Sequence, residues 1–400
     1  MKTKQFVLAL LALRFFAANI VSAAEPLRGE NACDPTKVVG HENCTKCHKG
    51  EMEVWKQHPH FATFDQLHRK PEAKEIAQRM GETSIKRSKL CVNCHYTLQG
   101  EAGQEKAVAG VSCESCHNAA ADWIKVHNDY GGPNVTKAME PPAHKKLRLE
   151  TSIAKGMNNP VNIYLLAQQC YSCHTVPSEE LVNKGKHKAG TEAFELVAWS
   201  QGNKTRHNFV SSDGKANAVS PPERLRVMYV VGAMVDLEYS LKAVAKAKEK
   251  ATYGITSAKR VAALKQRLEA IQAAISHPLV GEALTAVGNV KLKINNEVPL
   301  VEAAELVSAA ARKFAEQVDG KKLTAIDAIH GYAPRGYLLF SNLDKDKRSC
   351  RAFSLEIALC RLWQGQCSHE NCADSRAYQD NAQRPIGGLN TNIRTQHRPK

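Results

Sequence analysis

Beyond its first two dozen residues the chain has no apolar segment long enough to cross a bilayer, which excludes a polytopic membrane protein. It has no long block of lysine and arginine either. Its 55 basic and 40 acidic residues give a formal charge of +15 that is spread along the chain, so a nucleic-acid-binding tail is not expected. No Ser/His/Asp constellation and no paired carboxylates stand out as catalytic machinery. Disordered and fibrous classes are excluded as well. A content of 43% hydrophobic and 24% charged residues over 400 positions is ordinary globular material, enough for one large core or two domains.

What is present begins with a leader. Lys2 and Lys4 precede an apolar stretch from Phe6 to Val21, and Ser22, Ala23 and Ala24 supply the small residues of a cleavage site. Residues 1–23 are expected to be a signal peptide cut after Ala23, which places the mature chain in the periplasm. Arg14 interrupts the apolar run and leaves it short for a membrane anchor, so no stable membrane insertion is expected. Loss of Lys2, Lys4 and Arg14 with the leader takes the formal charge to +12. A basic mature surface suits an acidic redox partner or an anionic substrate.

Thirteen cysteines in an exported chain would ordinarily signal a disulfide framework. Their spacing points elsewhere. Eight of them form four pairs, each separated by two residues and each followed at once by histidine: Cys44, Cys47 and His48; Cys91, Cys94 and His95; Cys113, Cys116 and His117; Cys170, Cys173 and His174. With 13 cysteines and 16 histidines in 400 residues, this pattern arises by chance only about 0.02 times per chain. Two thiols one helical turn apart can add to the two vinyl groups on one edge of a porphyrin, and the adjacent histidine then lies under the iron as its proximal ligand. Zinc offers no reason for a histidine after every pair, and a thioredoxin-like dithiol would not recur four times. Four covalently bound haem c groups are therefore expected, with those eight cysteines as the attachment points. With so little polypeptide per cofactor, neighbouring haems would lie in or near contact and form a continuous electron path.

From about Asn43 to about His174 the chain resembles the tetrahaem cytochrome c-554 family of ammonia-oxidising bacteria. The order and spacing of the motifs match, and the segment Gly110-Val-Ser-Cys-Glu-Ser-Cys-His117 is nearly that family's third attachment sequence. The resemblance implies that His127, ten residues after the third motif, is a distal ligand, as is His60, five residues after Trp55. His58 competes with His60. It implies a third distal histidine beyond the fourth motif, for which His187 and His207 are the candidates; His207 is preferred because His187 sits in the lysine-rich run Lys184 to Lys188. It further implies that the haem on His95 has no protein ligand on its far side, unless His68 or His144 closes that site.

From Ser220 the texture changes to alanine, leucine and lysine with helical periodicity. Ser220-Pro-Pro-Glu223 reads as a capped helix start, and Val227, Val230, Val231, Met234, Leu237, Leu241 and Val244 as one buried face. A second helix is expected after Ser257, with Val261, Leu264, Leu268, Ile271 and Ile275, and shorter ones near Leu279 to Val290 and Pro299 to Val318. The expected architecture is mainly α: a multihaem cytochrome c domain with few strands over residues 24–219, then an antiparallel helical bundle over 220–331 that covers the haem domain or mediates association of copies. A tail over 332–400 holds Cys350, Cys360, Cys367 and Cys372, for which two disulfides are the default, leaving Cys33 as the odd cysteine. The expected role is a periplasmic electron carrier between redox-partner proteins, with reduction of a small molecule such as nitric oxide, nitrite, hydroxylamine or peroxide at a five-coordinate haem as the alternative.

Overall fold

The computed structural model describes residues 33–191, 194–201 and 219–329. The leader, His207 and the four tail cysteines lie outside the described residues. Those that are described fall within one compact unit and are mainly helical.

The N-terminal half is built from short pieces. Helices α1 (His41–Thr45), α2 (Lys49–Lys56), α3 (Pro59–Gln66) and α4 (Pro71–Met80) lead to α5 (Lys89–His95). A two-stranded antiparallel hairpin follows, β1 (Thr97–Gln99) with β2 (Lys106–Ala109), pairing Thr97 with Ala109 and Gln99 with Lys106. Then come α6 (Cys113–His117), α7 (Pro142–Ala154), α8 (Ile163–His174), α9 (Glu179–Asn183) and α10 (Leu196–Ser200). Prolines open α3, α4 and α7, where a missing N–H removes no helical bond. The apolar clusters here are small. One gathers Ala77, Ile85, Val92 and Tyr96, and another Ala120, Trp123 and Met157.

The C-terminal half has long helices and a large core. These are α11 (Pro222–Lys246), α12 (Thr252–Ile275), α13 (Pro278–Gly288) and α14 (Glu297–Gln317). All seven residues of the expected α11 stripe are buried, but so is most of the helix, including Asp236 and Glu238 on its other side. The reason is position. Helix α11 packs against α12 and α14 on the bundle side and against α8 and α10 on the other, so it is the central rod of the unit. At two places the structure departs from the local sequence pattern. Ser220 does not cap α11: Pro221 holds the cap position with no side-chain bond, while the Ser220 N–H donates to the Gln201 side chain at 2.7 Å. The next helix starts at Thr252, so Ser257 is a buried interior residue.

The core runs through the boundary near residue 220. Ile163, Tyr164, Ala167 and Tyr171 of α8 share one cluster with Met228, Val231 and Met234 of α11 and Val307 and Ala311 of α14. Tyr164 is the polar node of that junction. Its hydroxyl donates to Glu238 at 2.9 Å and lies 2.7 Å from the Ser308 hydroxyl, while Arg312 covers its ring. Glu238 is further neutralised by Lys242 at 2.9 Å. A second buried pair ties α11 to α12: Arg260 donates to both Asp236 oxygens at 2.6 and 2.9 Å, and its remaining arm donates to the Thr191 carbonyl at 3.0 Å. Burial pushes the Asp236 carboxyl up against the pull of Arg260, the balance of a charge held out of water by a partner.

Such a pair is costly to halve. Arg260→Met leaves Asp236 buried without its guanidinium and is expected to lower stability by about 3–5 kcal/mol, whereas the double change Asp236→Leu with Arg260→Met recovers most of that loss. Denaturant unfolding of the three proteins measures both values.

Candidate functional site

Each of the four cysteine-histidine motifs is wound into one helical turn. In the first, the Cys47 and His48 N–H groups donate back to the Cys44 carbonyl at 3.2 and 2.9 Å. The second forms the C-terminal end of α5, the third is the whole of α6, and the fourth closes α8. Residues three and four apart in a helix lie on one face, so each turn presents two thiols and an imidazole together. No disulfide joins the described cysteines. Among the described residues no group of three or more His, Cys, Asp and Glu side chains converges to hold a metal ion.

The turns are stitched together by buried polar contacts. Glu114, the second residue of the third motif, is buried and accepts from the Val39, Gly40 and Ala120 N–H groups, each at 2.9 Å. It thereby clamps the segment leading into the first motif against the third. Gln169 of α8 donates to the Ser115 carbonyl at 2.5 Å, and Asn158 donates to the Cys116 carbonyl at 3.2 Å, joining the third motif to the fourth. The second motif is tied in by Thr63, which donates to the His95 carbonyl at 3.1 Å, and by Thr97, whose hydroxyl lies 2.8 Å from Ser112 and 2.7 Å from Ser115. Trp55 has a supporting role: its indole N–H donates to the Val111 carbonyl at 2.8 Å, and the Val111 N–H donates to the His60 carbonyl at 3.1 Å. Gly110 lies so close to His60 and Thr63 that any side chain there would collide with them.

This framework brings histidine rings together in pairs. His48 and His127 have centroids 6.2 Å apart, His60 and His174 6.3 Å, and His95 and His187 6.3 Å. Two imidazoles bound to one metal from opposite sides, with bonds of about 2.0–2.1 Å and each centroid about 1.1 Å behind its nitrogen, stand roughly 6.2–6.4 Å apart. The spacing of all three pairs fits a haem iron held between them. The tautomers fit too. His127 Nδ1 lies 2.7 Å from the Ile124 carbonyl and His117 Nδ1 3.0 Å from the Asn158 carbonyl, so Nδ1–H donates and Nε2 keeps its lone pair. Burial lowers the pKa of His117 and His127, and burial with Arg260 nearby pushes His174 down to about 4, so these rings are neutral and able to ligate near pH 7.

The sequence-expected residues are thus placed as follows. The eight motif cysteines and His48, His95, His117 and His174 sit in the four turns, and His127 and His60 face His48 and His174. His58, at the cap position of α3, accepts from the His60 N–H with its Nδ1 at 3.3 Å. His144 belongs to a cluster with Glu140 and Arg148, in which Glu140 receives His144 at 2.9 Å and Arg148 through two bonds of 2.7 Å. Arg148 in turn donates to the His127 carbonyl at 2.6 Å. Residues the sequence reading passed over include Glu114, Thr191, whose hydroxyl is 3.3 Å from His174 Nδ1, and Phe194, stacked on the His174 ring at 4.0 Å. An acidic residue between two motif cysteines was the available signal for Glu114; Thr191 and Phe194 carried none.

Residues 43–118 match the family described as cytochrome c554 and c-prime. That segment belongs to the cytochrome c554 family. Among curated proteins, cytochrome c-554 of Nitrosomonas europaea is similar, 26% identical over 154 residues that cover 36% of this chain and 61% of that protein. The chain therefore spans about 61% of the length of the relative it matches. No solved structure matches. Cytochromes of this family bind haem c covalently, and the Cys-x-x-Cys-His turns are where c-type attachment takes place. Within the c554 segment lie the first three motifs, His60 and Glu114; the fourth motif, His127 and the bundle fall outside it.

Two outcomes follow for this segment and its flank. Glu114→Ala strips three backbone N–H groups of their acceptor and is expected to cost about 3 kcal/mol or more in denaturant unfolding. Arg148 and His144 hold the Glu140 carboxyl down to about 2. A depressed carboxylate stabilises the fold above its ordinary pKa of 4.5 and loses that contribution as pH falls through about 2. Arg148→Met is therefore expected to move the acid-unfolding transition to higher pH, read by circular dichroism.

Proposed function

We propose that the chain is a periplasmic tetrahaem c-type cytochrome that transfers electrons between redox-partner proteins. The observation that supports this reading is the pairing of imidazoles at a separation that fits a metal between them, His48 with His127 and His60 with His174, each pair including the histidine of a Cys-x-x-Cys-His motif. The bound haems would supply reversible one-electron chemistry at iron, at potentials lowered by histidine on both sides.

The protein's own part is to position and insulate. His48, His95, His117 and His174 would be the proximal ligands and the eight motif cysteines the tethers. At the sites of those two pairs the second ring would fill the remaining iron position and keep substrate from the metal, which favours a carrier over a catalyst there. The contacts that stitch the motifs leave little polypeptide between neighbouring sites, as an electron path requires. His174 is close enough to His95 and His58 for their charges to act on it.

Partner choice follows from charge. Lys46 and Lys49 are exposed on either side of the first motif's Cys47 and His48. Removal of the leader would leave a basic protein, so an acidic partner docking near the first motif is favoured by long-range attraction. Family resemblance adds nitrogen-cycle electron traffic as the setting.

Pyridine haemochrome content and intact mass of the protein from the periplasm test the reading together. Four haems on a polypeptide beginning at Ala24 are expected; a lower haem content, or none, sinks it. Lys46→Glu with Lys49→Glu is expected to slow reduction of or by an acidic partner about tenfold at low salt and to weaken its dependence on ionic strength, read by stopped-flow absorbance.

A further inference from the structure

His187 lies in a lysine-rich run that the sequence presents as solvated surface. The structure sorts that run by face: Lys184, Lys186 and Lys188 are exposed, Gly185 is buried and His187 is half-buried. The turn that does this is built with care. The Gly185 N–H donates to the Glu180 carbonyl and the His187 N–H to the Leu181 carbonyl, both at 3.1 Å, which closes the end of α9. Arg79 of α4 donates to the Gly185 carbonyl at 2.8 Å. Gly185 is pressed against the Leu181 carbonyl and the Met80 sulfur, leaving no room for a side chain. Lys186 is held at φ +61°, a left-handed conformation that lysine disfavours, and the residue it delivers is His187.

That ring lands 6.3 Å from His95, the separation of the His60–His174 pair and within 0.1 Å of the His48–His127 pair. Its Nδ1 lies 2.8 Å from the Lys188 carbonyl, so Nδ1–H donates to backbone and Nε2 carries the lone pair, as at His127. His95 is fixed from its own side, at the end of α5 with its carbonyl bonded to Thr63. His144, one of the histidines the sequence offers for the same site, is engaged with Glu140.

We infer that His95 and His187 are the two axial ligands of one haem, so that the second haem is six-coordinate. The inference rests on the four-haem reading above and departs from the open second site that the family resemblance implies. It removes the structural basis for small-molecule reduction at that haem and makes the site one for electron transfer alone.

Spin state tests it on the full-length, haem-loaded protein. In the wild type, electron paramagnetic resonance of the ferric form is expected to show the His95 haem low-spin, and in His187→Ala one additional high-spin haem per chain. The reduced variant is expected to bind about one more carbon monoxide per chain than the wild type, and added imidazole to return the ferric variant to the low-spin spectrum. Should His187→Ala load poorly, His187→Met keeps a ligand of similar reach; it is expected to stay low-spin while gaining the charge-transfer band of methionine-ligated ferric haem. Unchanged spin populations and carbon monoxide stoichiometry in His187→Ala, or no such band in His187→Met, would overturn the assignment. Haem content of the same samples separates the two failures: four haems with unchanged spin overturns the His187 ligation alone, whereas fewer than four in the wild type overturns the tetrahaem reading beneath it.

Discussion

A helical turn puts residues i, i+3 and i+4 on one face, and the N-terminal half of this protein is organised around four such turns. Each consists of two cysteines and a histidine and is only as long as that geometry demands; α6 is the motif and nothing more. Because the turns must approach one another, the polypeptide between them cannot form a conventional apolar core. Its clusters are small, and cohesion comes from directed bonds: a buried glutamate on three N–H groups, glutamine and asparagine on motif carbonyls, and threonine hydroxyls between the second and third turns. Such bonds fix distances more sharply than hydrophobic contact does. That sharpness fits three histidine pairs agreeing to within 0.1 Å although each is assembled from different elements.

The helical bundle solves the complementary problem. Helix α8 carries the fourth motif at its C-terminal end and apolar residues along its length, so the strip of chain that holds His174 is also a wall of the large core. Behind His174 stand Phe194 and Thr191, and behind Thr191 stands Arg260, locked to Asp236 of α11. A chain of contacts therefore runs from the middle of the bundle to a motif histidine. The bundle's rigidity, derived from a central helix buried on nearly all sides, is passed to the fourth site through a few named bonds.

How much of this was legible beforehand varies with the kind of signal. The four cysteine-histidine turns were, because Cys-x-x-Cys-His is a local pattern whose three side chains fall on one face of a single helical turn. The α11 stripe was too, since burial follows period. That α11 is buried on its other side was not, because Asp236 and Glu238 look like a solvated face until Arg260, Lys242 and Tyr164 are brought to them by folding. The Ser220 cap failed for a related reason: the local cap pattern was present, but the Ser220 backbone was claimed by Gln201.

By itself the sequence determined the cysteine-histidine turns, the mainly helical character and the long amphipathic helices, all of which depend on neighbours within a few residues. Only the tertiary structure decided which histidine faces which. His48 and His127 are 79 positions apart, His95 and His187 92, and His60 and His174 114. Over such distances no spacing rule operates, because the chain between can take any path that closes its hydrogen bonds. His187 shows the difference most plainly. Its lysine neighbours describe a surface loop, and the loop is indeed at the surface; one left-handed residue and one buried glycine turn the histidine inward.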